Sequence, residues 1–289
     1  MKRILILGSK GMAGHILARY LHNKGKYYIA QIARGISERE GFYNVDVTDS
    51  SQVERVISEF SPDIILNCIG ILNKDAEDNP DKAIFINSYL PHFLARKAMS
   101  NDARLIHIST DCVFSGRKGN YAESDPKDGI GYYAQSKALG EVDYGNNLTI
   151  RTSIIGPELN QNGIGLLHWF LTNKSDKLNG YTNAFWSGVT TLQLAYAVEN
   201  AIDHSDILGL IHLTNGQKIS KYDLLVLFNE VFHTNRIIEP YPSYFVDKSL
   251  NKGPMSNRLG LVPSYKKMLE ELKAWIIGNE DLYSENYRF

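Results

Sequence analysis

The feature that most constrains this chain lies at its start, where Ile4-Leu5-Ile6-Leu7 runs straight into Gly8-Ser9-Lys10-Gly11-Met12-Ala13-Gly14. A continuous apolar run ending in glycine is the pattern of a strand buried on both faces. Glycines spaced G-x-x-G-x-x-G let backbone approach a pyrophosphate closely and aim the next helix N-terminus at its charge. Met12 to His22 then carries Ile16, Leu17, Tyr20 and Leu21 at helical spacing. A glycine triplet alone specifies only a tight turn. Strand, turn and amphipathic helix in that order specify a dinucleotide site, with Gly8, Lys10, Gly11, Met12 and Gly14 as candidate contacts.

The same alternation continues. Strands are predicted at 28–32, 43–47, 64–68, 105–109 and 148–151, with helices at 50–60, 81–100 and 133–144 between them. Pro62 closes the 50–60 helix, and Asp49 or Ser50 can cap its start. From Gly156 to Gly188 glycine, asparagine and aromatics dominate, and the segment reads as loops with one short helix at 166–171. A helix at 190–202, a strand at 210–213 and a helix capped by Ser220 follow. The expected fold class is α/β: a Rossmann-type doubly wound parallel sheet with helices on both faces, plus a smaller C-terminal α/β substrate lobe. Residues 1–152, completed by about 181–204, are expected to form the coenzyme domain, and 153–180 with 205–289 the lobe.

Composition removes several alternatives. With 289 residues, a net charge of -1 and 43% hydrophobic residues, the chain has a core but no field that would draw nucleic acid or an anionic membrane. Cys68 and Cys112 both sit in apolar contexts, so a disulfide framework is not expected and a cytoplasmic location is. The opening apolar run is too short for a signal h-region, and no later run could span a bilayer. The residues are compatible with a homodimer and do not specify one.

The second predicted strand ends in Arg34. An NAD site usually has a carboxylate about 20 residues beyond the glycines to hold the ribose 2′-hydroxyl. A guanidinium there suits a 2′-phosphate instead, with Lys10 beside it. NADP(H) is therefore the expected coenzyme and NAD(H) the alternative; a solvated strand-end arginine is the bland reading.

Tyr133-Ala134-Gln135-Ser136-Lys137 puts a phenol and an ammonium one helical turn apart. Free tyrosine has a pKa of about 10, and a neighbouring cation is expected to bring it nearer neutrality. Tyr20/Lys24 and Tyr244/Lys248 share the spacing, so spacing alone selects nothing. Tyr133/Lys137 stands out because it follows a buried strand ending Ser109-Thr110-Asp111, at the edge where open α/β sheets bind ligands. Thr110 can hydrogen-bond a reacting carbonyl or merely cap a strand end. Asn87 reads equally well as an exposed amide or as part of a proton relay.

Together these pieces resemble the extended short-chain dehydrogenase/reductase superfamily, and within it the dTDP-4-dehydrorhamnose reductase family. The resemblance runs through GSKGMAG at 8–14, DVTD at 46–49, LNCIG at 66–70, AEDNP at 76–80 and Asn87. It continues through STDCVFSG at 109–116, YAQSK at 133–137, RTS at 151–153 and SNRLG at 256–260. It implies Asp46 and Val47 near the adenine, Cys68, Ile69 and Gly70 along the coenzyme, and Asn87 and Ser109 grouped with them. It implies Thr110, Tyr133 and Lys137 as the catalytic trio, Lys137 also holding the nicotinamide ribose. The substrate implied is a 4-keto-6-deoxy sugar on a nucleoside diphosphate, used in surface polysaccharide synthesis, with Asp111, Cys112, Ile154 and Arg258 on its side. Cys112 and Ile154 depart from the family, which usually has Tyr and Trp there. The sugar pocket is thus expected to differ, with Trp169, Phe185 and Trp186 as candidate replacement surfaces. Two competing readings keep the fold: a sugar-nucleotide epimerase or dehydratase that retains NAD, and a non-catalytic NADP-binding regulatory subunit.

Overall fold

The computed structural model describes residues 1–242 and 244–287. Seven strands form one parallel sheet: β1 (Lys2–Leu7), β2 (Tyr27–Ala33), β3 (Phe42–Asn44), β4 (Ile64–Asn67), β5 (Arg104–Thr110), β6 (Leu148–Thr152) and β7 (Gly209–His212). Their spatial order is β7-β6-β5-β4-β1-β2-β3, the doubly wound arrangement in which the chain reverses direction between β1 and β4. Register brings Leu7 beside both Ile32 and Asn67, so Gly8 emerges at that reversal.

The apolar alternation explains the layering. Ile4, Ile6, Leu66, Ile106 and Ile150 face one core with α1 (Met12–Asn23) and the helix Thr191–Asp203; Leu5, Leu7, Ile65 and Leu105 face the other with α2 (Ser50–Phe60) and the helix Leu90–Ser100. Asp49 caps α2, accepting from the amides of Ser51 and Gln52.

Three departures from the sequence expectation matter for the site. The helix predicted at 81–100 is interrupted by a π segment, Ile84–Tyr89, whose wider turn carries Asn87 inward. The helix predicted at 133–144 spans only Tyr132–Leu139 (α3 of the site). It stops because Gly140 lies so close to the Asn87 carbonyl that any Cβ there would overlap it, and Thr149 then pins both the N–H and the C=O of Val142. The segment read as loops from 156 to 188 contains strands Lys177–Tyr181 and Ala184–Trp186. These pair with Ile237–Tyr241, Ile219–Ser220 and Val246–Asp247, partners too distant in sequence for local pattern to reveal. Residues 209–212, grouped above with the lobe, extend the large sheet as its edge strand.

Candidate functional site

A cleft of about 530 Å³ opens at the carboxyl ends of β1, β2 and β4. Nine of the expected coenzyme residues line it: Gly8, Lys10, Gly11, Arg34, Asp46, Val47, Cys68, Ile69 and Gly70. Gly8 has φ of +82°, and a Cβ on it would come within 2.8 Å of Ile69; a Cβ on Gly14 would overlap the Gly8 carbonyl. The turn therefore leaves bare backbone where a pyrophosphate needs to approach. Ser9 adds a buried hydroxyl with no partner among the described residues, at the start of this donor-rich turn. Met12 instead faces Gly165 in the loop that follows β6, and Ile164 from that loop reaches the cleft.

The adenine end is electrostatically mixed. Arg34 lies 3.7 Å from Asp46, and Lys10 donates to the Gly35 carbonyl at 3.1 Å. The Thr48 amide and hydroxyl hold the Asp46 carboxyl below the usual range, with Arg34 and Lys82 adding to this. Lys82, on the short helix Pro80–Ala83 just past the AEDNP match, also lines the cleft, a cation that the motif itself does not include.

Near the cleft stand Thr110, Tyr133 and Lys137, with Lys137 beside Cys68 of the cleft wall. Thr110 stands beside the Tyr133 phenol; its own hydroxyl donates to Asp111 at 3.2 Å and accepts the Cys112 amide at 3.1 Å. Burial pushes the Tyr133 phenol up, with Cys112 adding to this and Thr110 opposing it. The expectation that Lys137 would pull the phenol down is not met in this state. The Lys137 amine turns away toward β5, donating to the Ile108 carbonyl at 2.9 Å and lying 3.4 Å from His107 Nε2. Burial lowers Lys137 to about 8. It also pushes Cys68, beside Lys137, up to about 12.

Two residues position this group and left little trace in the sequence. Glu77 accepts the amides of Tyr132 and Tyr133, both at 3.1 Å, and so caps α3 from another helix. Asn87 is fully buried rather than exposed: its amide grips both the N–H and C=O of Ile71 and donates to Ser136 at 3.1 Å. It ties the coenzyme wall to the helix carrying Tyr133. All of its hydrogen-bonding capacity toward these partners is internal. Ser109 is likewise turned inward, donating at 2.7 Å to Glu141, which forms a buried bidentate pair with Arg151.

On the substrate side the structure brings together fewer of the expected residues. Asp111 is buried, its carboxyl pushed up by desolvation and held back chiefly by Lys248. Cys112 lines a recess of about 330 Å³ with Ile130, Tyr244, Phe245 and Lys248. Burial, and after it Asp111, raises the Cys112 thiol to about 11. Tyr244 and Lys248, passed over because they do not follow the hydroxyl-ended strand, thus line the same recess as Cys112. Phe245 and Tyr244 are strongly exposed aromatics where the replacement surfaces were sought elsewhere. Trp186 is packed against Tyr265, and Trp169 lines a separate cleft with Lys177 and Lys221. Ile154 packs into the sheet core. Arg258 does not reach the site: it pairs with Asp206, and its carbonyl accepts from Asn200, near Arg104 at the opposite end of β5 from Thr110. Six strand steps separate those ends, about 20 Å. Among the described residues no cluster of side chains could hold a metal ion, and no helix is long and apolar enough to cross a membrane.

Comparison with known proteins finds relatives of this family and fold. Residues 1–275 match the family model described as the RmlD substrate binding domain. A dTDP-4-dehydrorhamnose reductase of Aggregatibacter actinomycetemcomitans is 26% identical over 255 residues, covering 84% of this chain and 83% of that protein. Methionine adenosyltransferase 2 subunit beta of Bos taurus is also 26% identical, covering 80% and 72%. Among solved structures, a dTDP-4-dehydrorhamnose reductase from Bacillus anthracis in complex with NADP superposes with a TM-score of 0.81 at 23% identity, covering 95% of this chain and 99% of that one.

Proposed function

The chain belongs to the RmlD substrate binding domain family, and from that membership and the geometry of its cleft we propose that it is an NADP(H)-dependent reductase. Its substrate is the 4-keto group of a nucleoside-diphosphate 4-keto-6-deoxy sugar. The observation that carries the reading is the juxtaposition of Thr110 and Tyr133 just past the end of β5, with Lys137 beside Cys68, which lines the coenzyme cleft.

The coenzyme, when bound, supplies the hydride. The chain's own residues do the rest. The glycine turn and the Ser9 hydroxyl offer donors to phosphate, and Lys10, Arg34 and Lys82 favour a 2′-phosphate over a bare ribose hydroxyl. Burial keeps Tyr133 a phenol, the form that can deliver a proton to a carbonyl oxygen as charge develops there. Thr110 stands beside that phenol, and its hydroxyl, turned from Asp111, can hydrogen-bond the same oxygen. Residues 1–152, the helix Thr191–Asp203 and the edge strand Gly209–His212 are assigned to coenzyme binding, and the stretches 153–190 and 213–287 around them to the substrate lobe. Cys112, Tyr244, Phe245 and Lys248 are the residues we assign to sugar selection.

Incubation with NADPH and a panel of dTDP-, UDP- and GDP-linked 4-keto-6-deoxy sugars tests the reading. Loss of nicotinamide absorbance with at least one is the expected result; no turnover with any of them contradicts it. The relationship to methionine adenosyltransferase 2 subunit beta favours one second reading, a non-catalytic regulatory role. Tyr133→Phe separates the two: it abolishes the biological activity of a reductase and leaves that of a regulatory subunit unchanged.

A further inference from the structure

A buried chain of hydrogen bonds runs from the coenzyme wall to Lys137 through two residues that the proposed reaction does not use. The Ile69 amide donates to Asn67 Oδ1 at 3.1 Å, Asn67 Nδ2 lies 3.1 Å from His107 Nδ1, and His107 Nε2 lies 3.4 Å from the Lys137 amine. Asn67 and His107 are both fully buried and face each other in the β4–β5 register.

The proton positions along this chain follow from one fixed donor. A backbone N–H can only donate, so the Asn67 oxygen must face Ile69 and its NH₂ must face His107. His107 Nδ1 is then an acceptor, and burial keeps the imidazole neutral. Its proton therefore sits on Nε2, pointing at the Lys137 amine. An unprotonated amine can accept that proton with its lone pair while donating to Ile108. An ammonium has no lone pair, and would require His107 to carry its proton on Nδ1, Asn67 to flip, and the Ile69 amide to lose its partner.

We propose that Asn67 and His107 are positioning residues that set the proton affinity of the Lys137 amine, the orientation of the Asn67 amide deciding which tautomer of His107 faces it. The other titratable groups around Lys137 are Cys68 beyond β4, Tyr133 one turn earlier on its own helix, and Glu141 just beyond that helix, which favours the ammonium. His92 is the further cation-forming group acting on His107. The arm from β4 and β5 opposes Glu141, so Lys137 changes its charge close to working pH rather than far above it.

The importance of Lys137 rests on the reductase reading, but the test does not need turnover. In the ligand-free protein, two-bond ¹H–¹⁵N correlation spectra report the His107 tautomer, and the ¹⁵Nζ shift of Lys137, assigned with Lys137→Arg, reports its titration. The expected result is the Nε2–H tautomer at neutral pH and above. Asn67→Leu, nearly isosteric and uncharged, frees His107 to accept, and is expected to move the Lys137 titration up by about one pH unit, roughly tenfold in proton affinity. Asn67→Asp is expected to move it further. In a His107→Leu background the Asn67→Leu shift disappears, because the effect passes through the imidazole. His107→Gln, whose amide NH₂ replaces the Nε2–H donor, is expected to restore the native titration. An Nδ1–H tautomer or an imidazolium at neutral pH in the native protein overturns the proposal without any variant. So does an Asn67→Leu shift that survives the loss of His107. Absence of turnover with every sugar tested would remove the reductase reading and leave these spectra unaffected.

Discussion

The coenzyme cleft and the separate recess to which we assign the sugar are assembled in different ways. The coenzyme wall is backbone and strand ends: Gly8, Cys68, Ile69 and Gly70 stand one or a few residues past β1 and β4, and their position follows from the parallel register. The sugar wall is side chains from three separated stretches, around Cys112, Ile130 and Tyr244–Lys248, brought together by the lobe. A wall built from strand ends tolerates little change in shape. A wall built from loop side chains can be altered one residue at a time; here Cys112 stands on it, while Ile154 packs into the sheet core.

Substitutions should therefore be severe on the first wall and selective on the second. Gly14→Val forces a branched side chain into the Gly8 carbonyl and is expected to abolish NADPH binding, measured by fluorescence titration. If NADPH still binds normally, the turn is not the pyrophosphate cradle. Tyr133→Phe removes the proton donor and should lower kcat by roughly 10²–10⁴-fold with the NADPH dissociation constant unchanged. An equal loss of binding would make Tyr133 structural. Arg34→Ala should raise KM for NADPH by about tenfold while leaving KM for NADH near its native value. Phe245→Ala belongs to the other wall: it should raise KM for the sugar nucleotide several-fold, without effect on NADPH, as expected for a single exposed aromatic contact.

The smallest effect is on stability against pH. Burial lowers His15 and His212 from 6.5 to about 4. Between those values the unfolded chain binds more protons than the folded one, so stability falls as pH drops from about 6.5 toward 4 and does not fall further below it from these groups. His212→Gln should flatten part of that slope in thermal melts.

The same contrast explains what could be read from the residues alone. Ile4 to Gly14 announces strand, turn and helix within eleven consecutive positions, and Thr110 and Tyr133 follow from their place on that frame. Asn87 reads from sequence as an exposed amide or a relay member, and Glu77 only as part of the AEDNP match at 76–80. Their partners, Ile71 and Ser136 for one and the Tyr132 and Tyr133 amides for the other, are set by a π segment and a cross-helix cap, neither of which has a local signature. Arg258 was misplaced because a short motif carries no information on which end of the sheet it reaches. Phe245 was missed because the lobe strands pair across long stretches of chain.

The most direct test of the central claim is the fate of the transferred hydrogen. NADPH carrying deuterium at the transferring C4 position, incubated with a 4-keto-6-deoxy nucleotide sugar that the protein turns over, should give a product with deuterium at sugar C4. Tyr133→Phe should suppress that product while still binding NADPH. A native protein that binds both ligands and returns the sugar reduced without deuterium, epimerised, or unchanged would contradict the account.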